Sequence, residues 1–296
     1  MSAPAHTLTR RRLLVAALAL ILTWGSAFTM VGVAVKHMTP LWIVAYRLVI
    51  GAVIVTAYMV WQGYRFPPLR DKRWLWYSCM GMTGAALPFL FLALGQSKIH
   101  SGLTAIIAGA MPLMTVLLAH FFTDEKLNTF KLIGFFIGFL GLCVLFIPED
   151  FTLELVEDWR AQLFVLLGAF GYAVTTIIAK RATETRASTG AAMMLICGAV
   201  AGCVMAGMEG LPAEPPPLIA YVMVTGLGLG SSGLATIVYL YLVEQSGPTL
   251  LARINYFTPV AAVIFGVVLL KEPLTLQMIA AFAVIVSGVA VSRIRS

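Results

Sequence analysis

The stretch MPLMTVLLAHFFTDEKL at residues 111–127 has a counterpart, TPVAAVIFGVVLLKEPL, at residues 258–274. At an offset of 147 residues the same residue types recur in the same order, with Pro112 on Pro259, Glu125 on Glu272 and Leu127 on Leu274. The same offset places Gly141 on Gly288 and residues 51–53 (GAV) on residues 198–200. Half of the chain is 148 residues. The sequence therefore predicts two related halves.

Both copies lie in a chain that is too apolar for a water-soluble fold. Hydrophobic residues make up 60% of the chain and charged residues 11%, whereas soluble domains contain about 25% charged residues. The chain is also too hydrophobic to be disordered. The net charge of +7 would suggest nucleic-acid binding in a soluble protein. Here the basic residues follow a topological pattern instead, and no nucleic-acid partner is expected.

Ten apolar stretches are long enough to cross a bilayer, for which a helix needs about 20 residues. They lie at residues 13–35, 40–61, 74–95, 100–122, 129–147, 161–180, 188–208, 217–241, 248–270 and 274–292. Their apolar runs are continuous and not alternating, which favours helices over a barrel. The predicted fold class is an all-α integral membrane protein with ten transmembrane helices.

The positions of Lys and Arg predict the orientation, because cytoplasmic loops are enriched in both. With the N terminus inside, 14 of the 20 basic residues fall in cytoplasmic segments, and four fall outside, namely Lys36, Lys98, Arg160 and Lys271. Arg47 and Arg253 lie within spans. Both termini are therefore expected in the cytoplasm. We expect a multi-pass protein of the cell membrane, in a bacterium the inner membrane, with the lipid bilayer around it.

Each predicted half contains five spans, and five is an odd number. The second half then enters the membrane from the opposite side, so a two-fold axis in the membrane plane relates the halves. The predicted domains are a first repeat at 1–147, an acidic external loop at 148–160 and a second repeat at 161–296. Inverted repeats are typical of secondary transporters, whose substrate site lies between the repeats near the midplane.

These residues resemble the drug/metabolite transporter superfamily, in which each five-helix half carries a Pro…Glu…Gly pattern. The pattern here is Pro112…Glu125…Gly141 and Pro259…Glu272…Gly288, and residues 24–28 (WGSAF) and 46–48 (YRL) are also similar to that family. More narrowly, the chain is similar to the ten-helix metabolite exporters, among them bacterial exporters of aromatic and other amino acids. The resemblance implies export of small molecules. One departure is that Met194 takes the place of Arg47 in the second half.

The two arginines within spans are the strongest functional signals, because an Arg at mid-span costs at least about 2.5 kcal/mol on insertion scales. Arg47 lies seven residues after Pro40, about 10 Å below the predicted outer boundary. Either arginine could reach the headgroups with its guanidinium or pair with a helix C terminus. Alternatively, Arg47 faces a wet cavity, where it attracts a substrate carboxylate or pairs across a gate.

Aromatic and polar residues within the spans form the predicted lining of a central cavity between the halves. The set comprises Trp24, Ser26, Phe28, Tyr46, Arg47, Phe89, Tyr172, Thr176, Tyr239, Asn255 and Tyr256. Each polar member alone could instead bond to a neighbouring helix. Together they suit an amphipathic small molecule. Because no carboxylate lies deep in a span, a zwitterion or a neutral metabolite fits better than a cation.

Prolines, glycines and cysteines within the spans predict local features. Pro88, Pro112 and Pro259 each remove a backbone hydrogen bond, so we expect kinks that could serve as hinges. The small-residue face of Gly134, Gly138 and Gly141 either packs the two halves together or forms a dimer. A monomer or weak homodimer is therefore expected. The four cysteines form no CxxC pair and are expected in the core.

The leading hypothesis is an exporter of amino acids that works by alternating access, without proton coupling or with indirect coupling, since intramembrane carboxylates are missing. The alternative of the same fold is a multidrug or quaternary-ammonium exporter. An integral-membrane enzyme or a receptor is the alternative of another class. An enzyme is disfavoured, because the sequence contains no HExxH, P-loop or GxSxG triad pattern. No metal or cofactor is expected.

Overall fold

The computed structural model describes residues 5–123, 128–146, 155–182, 185–212, 214–246 and 248–292. The regular secondary structure in these ranges is helical throughout. The helices are α1 (Ala5–Ala34), α2 (Pro40–Trp61), α3 (Arg73–Gly81), α4 (Leu87–Gln96), α5 (Ser101–Ala108), α6 (Met111–Phe122), α7 (Thr129–Phe146), α8 (Leu155–Arg181), α9 (Ala187–Glu209), α10 (Leu218–Gly226), α11 (Ala235–Ser246), α12 (Pro248–Leu270) and α13 (Leu276–Ser292). Two π-helical segments, π1 (Met82–Ala86) and π2 (Leu227–Leu234), join α3 to α4 and α10 to α11.

Seven helical stretches in the described residues are long and apolar enough to cross a membrane. They are Arg11–Ala34, Pro40–Trp61, Arg73–Gln96, Ser101–Phe122, Trp159–Arg181, Ala187–Glu209 and Leu218–Leu242. Three shorter apolar helices follow the same composition, at Thr129–Val144, Phe257–Leu270 and Leu276–Ser292. Large apolar side chains such as Val53, Leu140 and Ile264 are exposed on the outside of the bundle, as expected for a surface that faces lipid. The protein is a multi-pass membrane protein.

The connections between helices gather at two opposite ends of the bundle. At one end, Thr39 Oγ1 donates a hydrogen bond to Glu209 Oε2 (2.6 Å), and Ser101 bonds to Glu272. We call this the glutamate end. At the other end, Arg181 Nη2 donates to the carbonyl of Phe122, and Arg186 Nη1 donates to the hydroxyl of Tyr64 (3.3 Å). We call this the arginine end.

Glycines set the closest approach between the two halves of the bundle. On α7, a Cβ added to Gly141 would lie 2.8 Å from Ile285 Cγ1 of α13, and one added to Gly134 would lie 2.5 Å from the backbone nitrogen of Ser292. The helices therefore pack almost backbone to backbone. Of the two predictions for this small-residue face, packing within the chain is the one that the structure shows.

The structure corrects one sequence-based expectation and refines another. The cysteines were expected in the core, but Cys79, Cys143 and Cys203 are exposed, because apolar thiols are equally at home against lipid. Pro88 and Pro112 lie in the first turn of α4 and α6, directly after π1 and after the break at residues 109–110. A proline there costs no hydrogen bond within its own helical segment. Pro259 lies inside the continuous α12.

A short-range ion pair begins the third membrane-length stretch. Asp71 Oδ2 lies 2.7 Å from Arg73 Nη2, and Asp71 Oδ1 accepts a bond from the Arg73 backbone nitrogen (2.9 Å). The hydrogen bonds from Arg73 lower the pKa of the Asp71 carboxyl to about 2. Asp71 therefore stays ionised over the whole physiological pH range and anchors the start of α3 at the arginine end.

Candidate functional site

The guanidinium of Arg47 is buried at a junction of α2, π2 and α4. Its side chain is only 6% exposed. Nε donates a hydrogen bond to Ser232 Oγ (3.2 Å), and Nη2 donates one to Ser231 Oγ (3.0 Å). Its Cζ lies 3.6 Å from the ring centroid of Phe89, within the range of a cation–π interaction. Among the predictions for Arg47, the headgroup position is wrong, because the guanidinium is buried in the protein and bonds to Ser231 and Ser232.

Close backbone packing brings the two serines to Arg47. A Cβ added to Gly228 would lie 2.5 Å from Ile50 Cβ and 3.2 Å from the carbonyl oxygen of Arg47. A Cβ added to Gly51 would lie 2.7 Å from Ser232 Cβ. The short serine side chains can therefore reach the guanidinium from a backbone that lies in direct contact with α2.

Both serines lie on π2, where the helix is locally wider than an α-helix. π-Helical turns are rare and occur frequently at functional sites. The hydroxyl of Ser231 also donates to the carbonyl oxygen of Leu227 (2.9 Å), so its lone pairs remain for Arg47. An arginine carries five N–H donors. In the described part of the chain the serines take two of them.

Aromatic rings extend the site from Arg47 towards α8. The ring of Phe89 meets Tyr172 edge-on, with centroids 6.3 Å apart. Next to this pair, Thr83 Oγ1 on π1 and Thr175 Oγ1 on α8 share a hydrogen bond of 2.7 Å. Three members of the predicted cavity set, Arg47, Phe89 and Tyr172, are thus brought together by three different helices.

Other predicted residues lie in separate groups. Trp24 and Tyr239 contact each other, with ring centroids 6.0 Å apart. Tyr46 is partly exposed and packs on Trp42 and Tyr221, with ring centroids at 5.8 and 5.9 Å.

The remaining described members of the set bond within their own helix, pack in an apolar cluster or face outward. Ser26 and Thr176 donate to backbone carbonyls of their own helices, at 3.1 and 3.0 Å. Phe28 packs in an apolar cluster, and Asn255 is exposed. The side chains of Tyr256 and Arg253 and most of the predicted loop at 148–160 lie outside the described residues.

Sequence reasoning missed the partners of Arg47. Ser231 and Ser232 are ordinary residues for a membrane helix. The sequence feature that marks this segment is the run of glycines at 226, 228, 230 and 233 around them. That run indicates close packing but does not name the neighbouring helix.

Two surface pockets of about 420 and 360 Å³ lie at residues 59–66 and between α2 and α9. Neither is lined by a member of the predicted cavity set. The central cavity therefore stays a prediction, and the Arg47 site is closed in this conformation.

The packing around Arg47 recurs in the other half of the chain with different side chains. Gly81 meets the carbonyl oxygen of Met194 in the same way that Gly228 meets that of Arg47. Gly81 and Gly228 are separated by the offset of 147 residues, and so are Arg47 and Met194. The same offset places π1 on the central part of π2. Where π2 has Ser231 and Ser232, π1 has Gly84 and Ala85. The backbone contact is repeated, whereas the polar side chains occur at one copy alone.

Comparisons with known proteins agree with this division. Residues 11–147 and residues 159–294 each match the model of the EamA-like transporter family. The chain is 28% identical over 282 residues to a protein of Escherichia coli K12 named "Uncharacterized inner membrane transporter YedA", with 92% of this chain and 87% of that protein covered. It is 23% identical to "Uncharacterized transporter YoaV" of Bacillus subtilis, with 90% and 92% covered.

A solved structure, titled "Crystal structure of protein", shares the fold with a TM-score of 0.68. The alignment covers 96% of this chain and 98% of that one at 20% sequence identity.

Proposed function

Because the chain belongs to the EamA-like transporter family, we propose that it is a ten-span secondary transporter that exports small amphipathic metabolites by alternating access. Amino acids with aromatic or other apolar side chains are the substrates that fit best. In a bacterium its place is the inner membrane, as the name of the relative YedA states for that protein. The activity is transport and not catalysis.

The ten-span arrangement is supported by the seven membrane-length stretches together with the three shorter apolar helices. The contacts at the glutamate end and the arginine end alternate along the chain, as successive crossings require. The arginine end carries Arg65, Arg70, Arg181 and Arg186. By the positive-inside rule it is the proposed cytoplasmic end, at which α1 would begin and α13 would end.

The inverted repeat is supported by contacts that exchange between halves. Gly228 contacts Arg47, and Gly81 contacts Met194. Gly81 lies 147 residues before Gly228, whereas Met194 lies 147 residues after Arg47, so the two halves exchange roles between the two contacts. Similarly, Gly141 meets Ile285 and Gly288 meets Gly138. A two-fold axis produces this pattern. With five spans per half, the axis lies in the membrane plane, which allows two equivalent packings that open to opposite sides.

The proposed substrate class rests on one observation, which is that the guanidinium of Arg47 is buried. Among the described residues, Ser231 and Ser232 take two of its five N–H groups, which leaves three for a carboxylate. The rings of Phe89 and Tyr172 beside it suit an apolar side chain. A quaternary ammonium ion fits less well, because Arg47 would repel it.

Counterflow in proteoliposomes tests this function. Vesicles containing the purified protein are loaded with unlabelled L-phenylalanine, and the uptake of labelled L-phenylalanine, L-leucine and tetraphenylphosphonium is compared with that of protein-free vesicles. We expect uptake of the amino acids without an imposed pH gradient. Uptake of the cation without that of the amino acids would overturn the proposal, and uptake driven by a pH gradient alone would contradict the absence of direct proton coupling.

A further inference from the structure

A carboxylate-binding site exists at the N terminus of α5, and the protein fills it with its own Glu272. The backbone nitrogen of Ser101 donates to Glu272 Oε1 (2.8 Å). The Ser101 hydroxyl and the backbone nitrogen of Gly102 donate to Oε2, at 2.8 and 3.1 Å. The first N–H groups of a helix have no partner within the helix, and its dipole favours anions there. Ser101 is only 1% exposed, so this is a buried three-donor site.

A buried acceptor without a hydrogen-bond partner lies beside this site. Gln96 is 6% exposed, and its Oε1 makes no hydrogen bond in the described part of the protein. Gln96 Oε1 and Ser101 Cβ are both 3.7 Å from the position that a Cβ on Gly32 would occupy. Leu270 Cδ1 lies 3.4 Å from the same position, so Gln96 Oε1, Ser101 and Leu270 border α1 together at Gly32. An unpaired buried oxygen is costly, and a ligand that donates hydrogen bonds would satisfy it.

Glycine also keeps room for the carboxylate itself. A Cβ on Gly266 of α12 would overlap Glu272 Oε2 and would lie 2.9 Å from Ser101 Oγ. An alanine at this position would therefore exclude any carboxylate from the site, whether it belongs to Glu272 or to a ligand.

We infer that the N terminus of α5 and Gln96 form a second amino-acid subsite at the glutamate end, and that Glu272 occupies its carboxylate position while this end is closed. This inference rests on the proposed function and deepens it. The carboxylate of an outgoing zwitterion takes the three donors of Ser101 and Gly102, and its ammonium group donates to Gln96 Oε1. Glu272 leaves when the substrate arrives, which releases the contact between α5 and the segment after α12.

The geometry also explains why arrival of substrate is coupled to opening. Glu272 belongs to the second half of the chain and Ser101 to the first half. The two hydrogen bonds from Ser101 and the one from Gly102 to Glu272 hold the halves together at this end, as does the bond between Thr39 and Glu209. A substrate carboxylate that replaces Glu272 makes the same bonds to α5 but none to the second half.

Binding of three probes to the full chain in nanodiscs tests the subsite. The probes are L-phenylalanine, L-phenylalaninamide without a carboxylate, and 3-phenylpropionate without an ammonium group. An R47M background removes carboxylate binding at Arg47. In it we expect E272Q to tighten binding of L-phenylalanine and 3-phenylpropionate by about tenfold, because the carboxamide NH₂ cannot accept from the three donors. Binding of the amide should change little.

Further variants separate the two groups of the ligand. Adding Q96L to E272Q should weaken binding of L-phenylalanine and leave 3-phenylpropionate unchanged, and adding G266A should abolish the gain for both. E209Q is the matched control, because it removes a carboxylate at the same end that bonds Thr39 and not α5; it should produce no gain. E272D, whose shorter side chain cannot reach all three donors, replaces E272Q if the latter does not fold.

The outcomes are distinguishable from failure of the proposed function. If wild-type protein carries amino acids in counterflow but E272Q produces no gain, or if E209Q produces the same gain, the subsite is refuted and the transport function stands. If Q96L weakens all three probes equally, the ammonium position is refuted.

Discussion

Replacing Arg47 with Met tests the substrate site against a reference that the chain itself supplies. Met194 occupies the equivalent position in the second half and meets Gly81 there, as Arg47 meets Gly228. Methionine is therefore compatible with this backbone contact. The triple variant R47M/S231G/S232A goes further and reproduces the side chains of the apolar copy, which has Gly84 and Ala85 in place of the serines.

The stability and transport effects of R47M are expected to differ in size. Loss of the two serine hydrogen bonds costs about 1.5–3 kcal/mol for each bond to a charged group, but removing a buried charge returns much of that free energy. We expect a net loss of at most about 2 kcal/mol in R47M, and recovery in the triple variant. Removing one partner of a buried charged pair costs about 2–5 kcal/mol in binding. Carboxylate transport should therefore fall by about 30-fold or more.

Counterflow and thermal unfolding in detergent measure the two effects on the same preparations. We expect both variants to melt near the wild-type temperature and to have lost transport of L-phenylalanine. Flux of phenethylamine, a cation that lacks the carboxylate, should not fall, because Arg47 repels cations. R47K should retain partial transport, because lysine keeps the charge but not the planar fork that bonds both serines. Zwitterion flux in R47M within threefold of wild type would refute the role of Arg47.

Three further predictions follow from the packing and the topology. Gly228→Ala should destabilise the protein by about 1–3 kcal/mol, because its Cβ would meet Ile50, whereas the control Gly207→Ala, with no atom within 4 Å of the new Cβ, should be neutral or stabilising in a melting experiment. A double-mutant cycle of Thr83→Val and Thr175→Val should give a coupling energy of about 0.6 kcal/mol, with 1.7 as an upper bound; zero coupling would show that the bond is not formed. In a cysteine-free background, Leu69→Cys should react with an impermeant thiol reagent only when the cytoplasmic face is accessible; labelling of intact cells would reverse the proposed orientation.

The sequence predicted the helical membrane fold well because burial in lipid imposes one strong pattern. Each apolar run of about 20 residues can only be a helix, so the bounds of α2 and α9 agree with the prediction to within one residue. The wider turns π1 and π2 were not predicted. Their hydrogen bonds shift by one residue without a change in composition, and the glycines around Ser231 indicated close packing alone.

The candidate site was predicted in part, because only some of its side chains are unusual enough in a membrane span to be noticed in the sequence. An arginine in an apolar span must find polar partners, so Arg47 was identifiable from its cost. Phe89 and Tyr172 were predicted because large rings in a span favour a cavity or a helix contact. Serines cost little anywhere in a membrane helix, since they bond back to their own backbone. The partners of Arg47 therefore carried no signal of their own, and neither did the contact between Glu272 and Ser101.

The contact of Gly228 with Arg47 differs in its side chains from the contact of Gly81 with Met194. This difference bears on the balance between the two proposed access states. In the proposed two-fold frame, the outward-open and inward-open packings would have equal free energy if the halves were identical. Any bias must come from positions where the halves differ. Arg47 with its two serines against Met194 with Gly84 and Ala85 is such a difference, and it lies at a contact between the halves. A substrate carboxylate that binds Arg47 therefore changes the free energy of one copy of a paired contact and not of the other. That is the differential interaction that a ligand needs in order to shift a conformational equilibrium. In the proposed mechanism, the residue that binds the substrate therefore also lies where substrate binding shifts the access state.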